Sequence, residues 1–479
     1  MVIVELKIEE LLQKCGNQEC PLLPVVSELL KQIAELKAEV KELKSKLNSD
    51  SSNSSQPPSL DGFKRNNKKS LREKTDKKQG GKKGHTGHSL KMTDTPDEVI
   101  CHKPAKCSCG HELKDAEVVK TERRQVINFK VIKVTTEHRA DTVECPCCKK
   151  TQAGTFPEGV EKNVQYGETV KALSVYLTQQ QHMPYERTDE FFSEVIGLDV
   201  SPAVIVNYTN AAYLLLQQHE SKVVELLEKS KVIHKDETGA FNEGKLSWIH
   251  VTSTEELTYY NFNVKRGADG IDEGKILEKF DGTIIHDFWK SYFKFNKAKH
   301  GLCNAHLIRE LKGIYDSNNS ALWSQELLNL LVEMNKAVTM AKELKMSFLE
   351  EKQKENLISK YKRLVEEGLT ASPESQCSDK KRGRKKQSKA YNLLRRLRDY
   401  ESDILRFMED FDVPFTNNQA ERDIRMVKVK QKISGTFRSL QGAKAFCRIR
   451  GYISTVKKHG CLPFIELMNV FLKKSFIPV

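Results

Sequence analysis

Two short apolar runs, each leading into an aspartate, constrain this chain more than any other feature. Val232-Ile233-His234 passes through Lys235 into Asp236-Glu237-Thr238, and Thr283-Ile284-Ile285-His286 leads straight into Asp287. Runs this short suit buried strands, and two strands that each deliver an aspartate at the carboxyl end can bring both carboxylates to one mouth of a sheet. Ser247 to Thr252 and Leu257 to Val264 read as two further strands across a polar turn. His300 to Cys303 is another, with helix from Ala305. A third acid is expected from a helix laid against these strands. Val413-Pro414-Phe415 leads into Thr416-Asn417-Asn418, whose asparagines offer N-cap chemistry, and Gln419 onward reads as a helix carrying Glu421. The 51 residues between the two aspartates suit three strands and their turns. The 134 residues between Asp287 and Glu421 leave room for a helical insertion, in which Leu327, Leu331, Met334 and Val338 recur at helical spacing and Lys380 to Lys386 forms a basic loop.

Three acids so arranged would suit phosphodiester chemistry. In-line displacement at phosphorus uses two hard divalent cations about 4 Å apart, one activating the attacking oxygen and one stabilising the departing oxygen. Magnesium binds through one or two carboxylates while keeping water and substrate oxygens, so clustered Asp and Glu serve it where histidine would not. The chain has 65 acidic residues, however, and spacing alone does not separate Asp236, Asp287 and Glu421 from surface charge. Glu237, beside Asp236, is given no role.

Upstream, the chain reads as a series of DNA-handling parts. Its 479 residues exceed one ordinary core, and 79 Lys and Arg against the 65 acids leave an excess of 14 positive charges with a pI near 9.0. A polyanionic partner follows, nucleic acid first. Leu22, Val26, Leu29, Ile33, Leu36, Val40, Leu43 and Leu47 alternate steps of four and three, the seam of a coiled coil that seeks a partner helix. Asn48 to Asp61, with its serines, Pro57 and Pro58, reads as a linker. From Lys64 to Lys83 ten basic residues stand against Glu73 and Asp76, and Lys68, Lys69, Arg72, Lys82 and Lys83 are candidate phosphate contacts in a segment that orders on binding.

Six of the twelve cysteines then fall in one short region. Cys107 and Cys109, followed by Gly110, and Cys145 and Cys148, around Pro146, flank a stretch from Val126 to Thr136 that alternates as strands do. This arrangement suits a structural zinc site. Cys145 and Cys148 have the normal C-x2-C spacing. Cys107 and Cys109 are one residue closer, which leaves Cys101, His102 or Cys147 open as a replacement ligand. From Val164 to Gln218 the pattern is helical: Val170, Leu173, Val175 and Leu177 mark one helix, Phe191, Phe192, Val195 and Ile196 the next. The turn Gly197 to Pro202 opens another at Val204, in helix-turn-helix fashion. After Glu421 positive charge thickens through Arg422, Arg425, Lys428 and Lys430, as a catalytic helix that holds DNA requires.

Four stretches together resemble the insertion sequence 66 family of bacterial transposases. They are Asn-Ser-Ser-Gln-Pro-Pro-Ser-Leu-Asp-Gly at 53–62, the zinc-ribbon cysteines, Asp236-Glu237-Thr238, and Val-Pro-Phe-Thr-Asn-Asn-Gln-Ala-Glu-Arg-Asp-Ile-Arg at 413–425. The resemblance spans nearly the whole chain. It implies a multidomain α+β protein: a coiled-coil helix over 1–48, a basic linker over 49–98, a zinc ribbon over 99–152 and a helical DNA-binding region over 160–229. A ribonuclease H-like α/β catalytic domain follows over 230–312 and 412–479, interrupted by a helical insertion over 313–411. It further implies that Asp236, Asp287 and Glu421 are the catalytic acids, with Mg2+ or Mn2+ as cofactor beside a structural Zn2+. Cys303-Asn304-Ala305-His306 matches a Cys-x2-His element that follows the second acid in similar transposases. Its roles as core packing and as active-site support both stay open. The pairing of Cys107 with Cys109 departs from the family pattern, as does Phe288-Trp289 where smaller residues are expected.

The activity so implied is metal-dependent cleavage and strand transfer on double-stranded DNA, at the element's terminal repeats and at a target, by a homo-oligomer joined through its zipper. The resemblance also implies accessory proteins of the same element as partners. A zinc-containing DNA-binding regulator would leave the three acids without a task, and a nuclease lacking strand transfer would not need the zipper. No apolar run approaches the ~18 residues of a membrane span. Charged Glu5, Lys7, Glu9 and Glu10 interrupt the opening residues, so a cytoplasmic, nucleoid-associated protein is expected.

Overall fold

A computed structural model describes residues 90–272, 275–318, 320–374 and 387–479, with a subset of positions between 26 and 54. The basic run from Lys64 to Lys83 and the loop Lys380 to Lys386 lie outside the described residues, as do Leu22 and Leu47 of the zipper seam. The seam positions that are described, Val26, Leu29, Ile33, Leu36, Val40 and Leu43, are helical, and the last five are exposed. The chain forms two compact units, one of residues 1–66, 157–191 and 199–479, the other of residues 67–156 and 192–198.

The smaller unit carries the cysteine pairs. Strands β1 (Thr142–Glu144) and β2 (Thr151–Ala153) pair antiparallel, with Thr142 opposite Ala153, and frame the turn that holds Cys145, Cys147 and Cys148. A lone antiparallel bridge between Lys106 and Glu112 frames Cys107 and Cys109 in the same way. The alternating stretch Val126 to Thr136 does not form the expected strand. Among the described residues it has no ladder partner, and both parities of its alternation are exposed, Val126 at 85% and Ile127 at 72%. Alternation specifies a strand only where a neighbour takes its hydrogen bonds and a core covers one face. Neither is present here.

The larger unit is built on one mixed sheet. Helices α1 (Glu168–Val175), α2 (Tyr185–Phe191), α3 (Pro202–Leu215) and α4 (Gln217–Glu228) come first; the helix expected at Val204 opens two residues earlier, on Pro202, whose fixed φ suits a first turn. The strands are β3 (Val232–Asn242), β4 (Lys245–Ser253), β5 (Thr258–Asn263), β6 (Thr283–His286) and β7 (Lys299–Leu302), in the order β5-β4-β3-β6-β7. β3, β4 and β5 are antiparallel neighbours, whereas β6 runs parallel to β3 and β7 parallel to β6. β3 is longer than its apolar start suggests. It runs on past Asp236 to Asn242, pairing with β4 throughout, so Asp236 stands in mid-strand and not at a strand end.

Helices cover both faces of the sheet. Short α5 (Ala268–Ile271) and α6 (Ile276–Lys279) join α4 on the face of Ile233 and Ile284. After α7 (Asn304–Ser317), the segment 313–411 supplies α8 (Leu322–Glu343), α9 (Glu351–Ala371), α10 (Lys389–Asp399) and α11 (Glu401–Glu409). Leu327, Leu331, Met334 and Val338 of α8 are buried in one core that also holds Ile285 of β6 and Leu302 of β7, so these helices brace the parallel edge of the sheet. α12 (Asn418–Ser434) and α13 (Leu440–Lys458) pack on Ala240, Ile249, Val251, Tyr260 and Phe262 of the antiparallel half. α14 (Pro463–Phe471) closes a last core with α1, α3 and α13. Among the described residues no helix is long and apolar enough to cross a membrane.

Gly282 sets how closely β6 approaches the start of β3. The Thr283 N–H donates to Lys231 O at 2.8 Å, and a Cβ on Gly282 would lie 2.4 Å from that same oxygen. Backbone cannot yield as a flexible side chain can, so Gly282→Ala is expected to lower stability by about 1–3 kcal/mol, read from urea midpoints. A midpoint equal to that of the unaltered protein would show that the approach of the two strands is not tight.

Candidate active site

Register brings the two aspartates together. Val232, Ile233 and His234 of β3 pair with Thr283, Ile284 and Ile285 of β6, and the same parallel register carried two residues further sets Asp236 level with Asp287. Neighbouring strands lie about 4.8 Å apart, which makes these two carboxylates neighbours on one face of the sheet. Each is held by a backbone N–H: that of Glu237 donates to Asp236 Oδ1 at 2.8 Å, that of Trp289 to Asp287 Oδ1 at 3.0 Å. Enclosure raises both pKa values, and the Glu237 charge adds to it. Asp236 is pushed well above the ordinary range, with Asp287 and then Glu421 contributing; Asp287 is pushed up to about 6, with a smaller contribution from Glu421. Carboxylates that raise one another in this way form a site short of positive charge.

Glu421 arrives from the first turn of α12, and Asn417 fixes where that turn begins. Asn417 stands at the N-cap position, as expected, but makes no side-chain capping bond to its own helix. Its side chain reaches into the sheet instead. Nδ2 donates to Lys235 O at 2.8 Å, and Oδ1 accepts from His234 Nδ1 at 2.9 Å. Its backbone N–H donates to Cys303 Sγ at 3.2 Å, and its carbonyl accepts from the Glu421 N–H at 3.2 Å. A buried asparagine with these partners costs little, because each polar atom has lost water and gained a bond. Around the Glu421 carboxylate stand His306 Nδ1 at 3.8 Å, Arg309 Nη2 at 3.9 Å and Cys303 Sγ at 3.9 Å, all measured to Oε1. Burial pushes the Cys303 thiol up to about 12 and the His306 imidazole down to about 4.

Glu237 is part of this assembly, which the sequence did not reveal. Its side chain is 2% exposed, on the opposite face of β3 from Asp236, and Arg266 pairs with Oε1 at 2.8 Å while the Tyr292 hydroxyl donates to Oε2. Arg266 lies between two indoles, 4.7 Å from the Trp248 centroid and 4.3 Å from that of Trp289. Such a sandwich holds a guanidinium in one orientation. On the same side Lys235 is fully enclosed and donates to Thr252 Oγ1 and Ile271 O at 2.8 and 3.0 Å, its pKa lowered to about 8 by burial. Phe288 and Trp289, out of pattern in the sequence, are accounted for. Phe288 packs edge-on against Tyr400 and beneath Arg396, while Trp289 carries Arg266.

The other candidates divide. Arg422 and Arg425 are exposed on α12 beside Glu421. Lys428 donates to Gly239 O at 2.7 Å, and Lys430 donates to Gly435 O at 2.9 Å while covering the Phe437 ring, so both ammonium groups have partners within the fold. Two nearby acids are committed elsewhere, Asp423 to Lys458 at 2.9 Å and Glu310 to Arg396. Lys68, Lys69, Arg72, Lys82 and Lys83 lie outside the described residues. In the smaller unit, the Cys107 N–H donates to His111 O at 2.9 Å and the Cys145 N–H to Lys150 O at 2.8 Å, so each cysteine pair sits on its own tight turn. Backbone N–H groups of Cys109 and Cys148 hold the Cys107 and Cys145 thiols below their ordinary range. Among the described residues, three or more metal-donor atoms come within 4.8 Å of one another at one group alone, Cys303, His306 and Glu421. Cys107, Cys109, Cys145 and Cys148 therefore stand as two separate pairs.

A family model described as the transposase IS66 family matches residues 163–445, a span that contains Asp236, Asp287 and Glu421. A second model, of a family of unknown function, matches residues 4–91. No curated protein matches the chain.

The raised Asp287 has a consequence for stability. Its folded pKa of about 6 lies above the ordinary 3.8, so between these values the folded chain holds a proton that the unfolded chain has lost. The contribution is full below the lower value and is lost as pH rises through the upper one. In chelator, urea midpoints measured from about pH 4 to about pH 7 should carry this falling component, and Asp287→Asn should remove it. An identical pH slope in the two proteins would mean that Asp287 titrates normally.

Proposed function

This chain belongs to the IS66 family of transposases, and on that premise we propose that it cleaves the ends of its own element and joins the freed 3′ hydroxyls to target DNA, with Asp236, Asp287 and Glu421 as its acidic centre. Membership makes the chain a DNA-processing enzyme that binds DNA. The observation that carries the finer reading is the register that sets Asp236 level with Asp287, with Glu421 acting electrostatically on both. A sheet of three antiparallel strands continued by two parallel ones, with the first two acids on adjacent parallel strands, fits a ribonuclease H-like catalytic domain.

The three carboxylates fit hard divalent cations, Mg2+ or Mn2+, because all the donors are oxygen and the two aspartates are raised by burial and by neighbouring acids. When bound, such ions supply charge stabilisation for the attacking and departing oxygens. The chain's own residues do the positioning. Backbone N–H groups orient the two aspartates, Asn417 sets the height of Glu421, and the pair of Glu237 with Arg266 stiffens β3 behind them. Exposed Arg422 and Arg425 would hold backbone phosphates beside the acids, and the basic segment from Lys64 to Lys83 would supply most of the affinity. The exposed helical seam from Leu29 to Leu43 favours a zipper-joined oligomer.

The two cysteine turns would supply one zinc site, with each pair giving two thiolates once brought together. Freshly purified, reduced protein should then carry one tightly held zinc per chain, and Cys145→Ser with Cys148→Ser should abolish it. Metal analysis finding no zinc in the unaltered protein would overturn the ribbon assignment.

Alanine at Asp236, Asp287 or Glu421 should lower cleavage of end fragments by orders of magnitude, because each change removes a charge that anchors a cation. Gel shifts with calcium in place of magnesium should stay within several-fold, since the lysine and arginine contacts are untouched. Normal cleavage and joining by Glu421→Ala would reject the triad. Cleavage without joined products in the unaltered protein would make it a nuclease instead.

A further inference from the structure

We propose that Cys303, His306 and Glu421 form a second cation site, selective for a borderline-soft ion of the zinc class, that draws Glu421 away from the two aspartates. The donor atoms are already nearly spaced for it. Zinc binds sulfur, nitrogen and oxygen at about 2.3, 2.0–2.1 and 2.0–2.2 Å, so tetrahedral ligands stand about 3.5 Å from one another. Here Cys303 Sγ and His306 Nδ1 lie 3.9 and 3.8 Å from the same Glu421 oxygen, and all three donors fall within 4.8 Å. Side-chain shifts of about an ångström or less close the set.

Three further observations point to a ligand. His306 Nδ1 is buried and has no hydrogen-bond partner, although buried polar atoms are rarely left so. Cys303 stands at the N-cap position of α7, and Sγ already accepts the Asn417 N–H at 3.2 Å. The spacing Cys-x2-His then delivers both side chains from one helical turn, with Glu421 closing the set from α12. Arg309 stands 3.9 Å from the same Glu421 oxygen and opposes a cation. The Cys303 proton leaves to solvent as the ion binds, thiolate and carboxylate together neutralise the divalent charge, and Arg309 has only to swing toward solvent. A hard ion such as magnesium gains nothing from sulfur and stays with the aspartates.

Binding does not depend on the transposase mechanism proposed above; the effect on activity does. The test is a cobalt titration of the full-length protein with its tight zinc retained, read by equilibrium dialysis and by the thiolate-to-cobalt absorption band. One cobalt beyond the zinc is expected, with that band. Cys303→Ser should lose the band, His306→Gln should weaken binding at least tenfold, and Cys447→Ser, which alters another buried thiol, should retain both. No added cobalt in the unaltered protein, or a band that persists in Cys303→Ser, overturns the proposal. Should Cys303→Ser fail to fold by circular dichroism, His306→Gln and Glu421→Gln decide it, and unchanged cobalt affinity in both rejects the site. Micromolar zinc should then slow magnesium-dependent cleavage, with the ratio of rates with and without zinc at least tenfold closer to one in His306→Gln. Cobalt binding as expected with no cleavage at all would sink the triad and leave this site standing.

Discussion

The side chain of Asn417 joins elements that are far apart in sequence. It bonds the backbone of β3 at Lys235 and the ring of His234, while its own N–H bonds the sulfur at the end of β7. Glu421 lies one helical turn further on, so its height above the sheet follows from this one residue. Asp236 lies one residue beyond Lys235 on the bonded strand. Two of the three acids are thus referenced to the same amide group, and the third follows from the pairing of β6 with β3. Without that amide, α12 would keep its apolar contacts with Ala240, Ile249 and Val251 and the bonds of Lys428 to Gly239 O and of Tyr260 to Asp423 O, yet its first turn would lose its polar tie to β3.

Around this knot the structure manages a concentration of buried charge. Two aspartates raised by burial face α12, and the glutamate that follows the first in sequence faces the other way, neutralised by an arginine held between two tryptophans. A buried ion pair of this kind contributes little net stability, since desolvation of both partners offsets their attraction. It orients β3 instead. The remaining acids near α12 are quenched by their own partners, Asp423 by Lys458 and Glu310 by Arg396. The acids left without a full ion-pair partner are thereby Asp236 and Asp287, with Glu421 met by Arg309 only at 3.9 Å.

Much of this was legible in the sequence. The strands at 232–234, 247–252, 257–264, 283–286 and 300–303 overlap the five observed strands, because short β-branched and aromatic runs between polar turns have few other uses. The buried stripe of α8 was equally plain, since helical spacing repeats over several turns. Val126 to Thr136 misled because alternation registers only the chain's own half of a strand; among the described residues no partner makes it one. Asn417 takes the N-cap position read from the sequence, but its side chain is used elsewhere. Its local setting is that of an N-cap, but partners from β3, some 180 residues away, outcompete the local backbone.

The sequence by itself determined which acids could matter, since a buried strand that runs into an aspartate, and an asparagine-led helix that carries a glutamate, are local patterns with local causes. It also determined the excess of positive charge and the two tight cysteine turns, each set by neighbours within a few residues. Only the tertiary structure decided that β3 runs on past Asp236, that Glu237 turns away to meet Arg266 and Tyr292, and that Cys303, His306 and Glu421 share one small volume. Those facts depend on register between strands and on which helix covers which face. Packing of the whole core fixes both, and no window of sequence contains it.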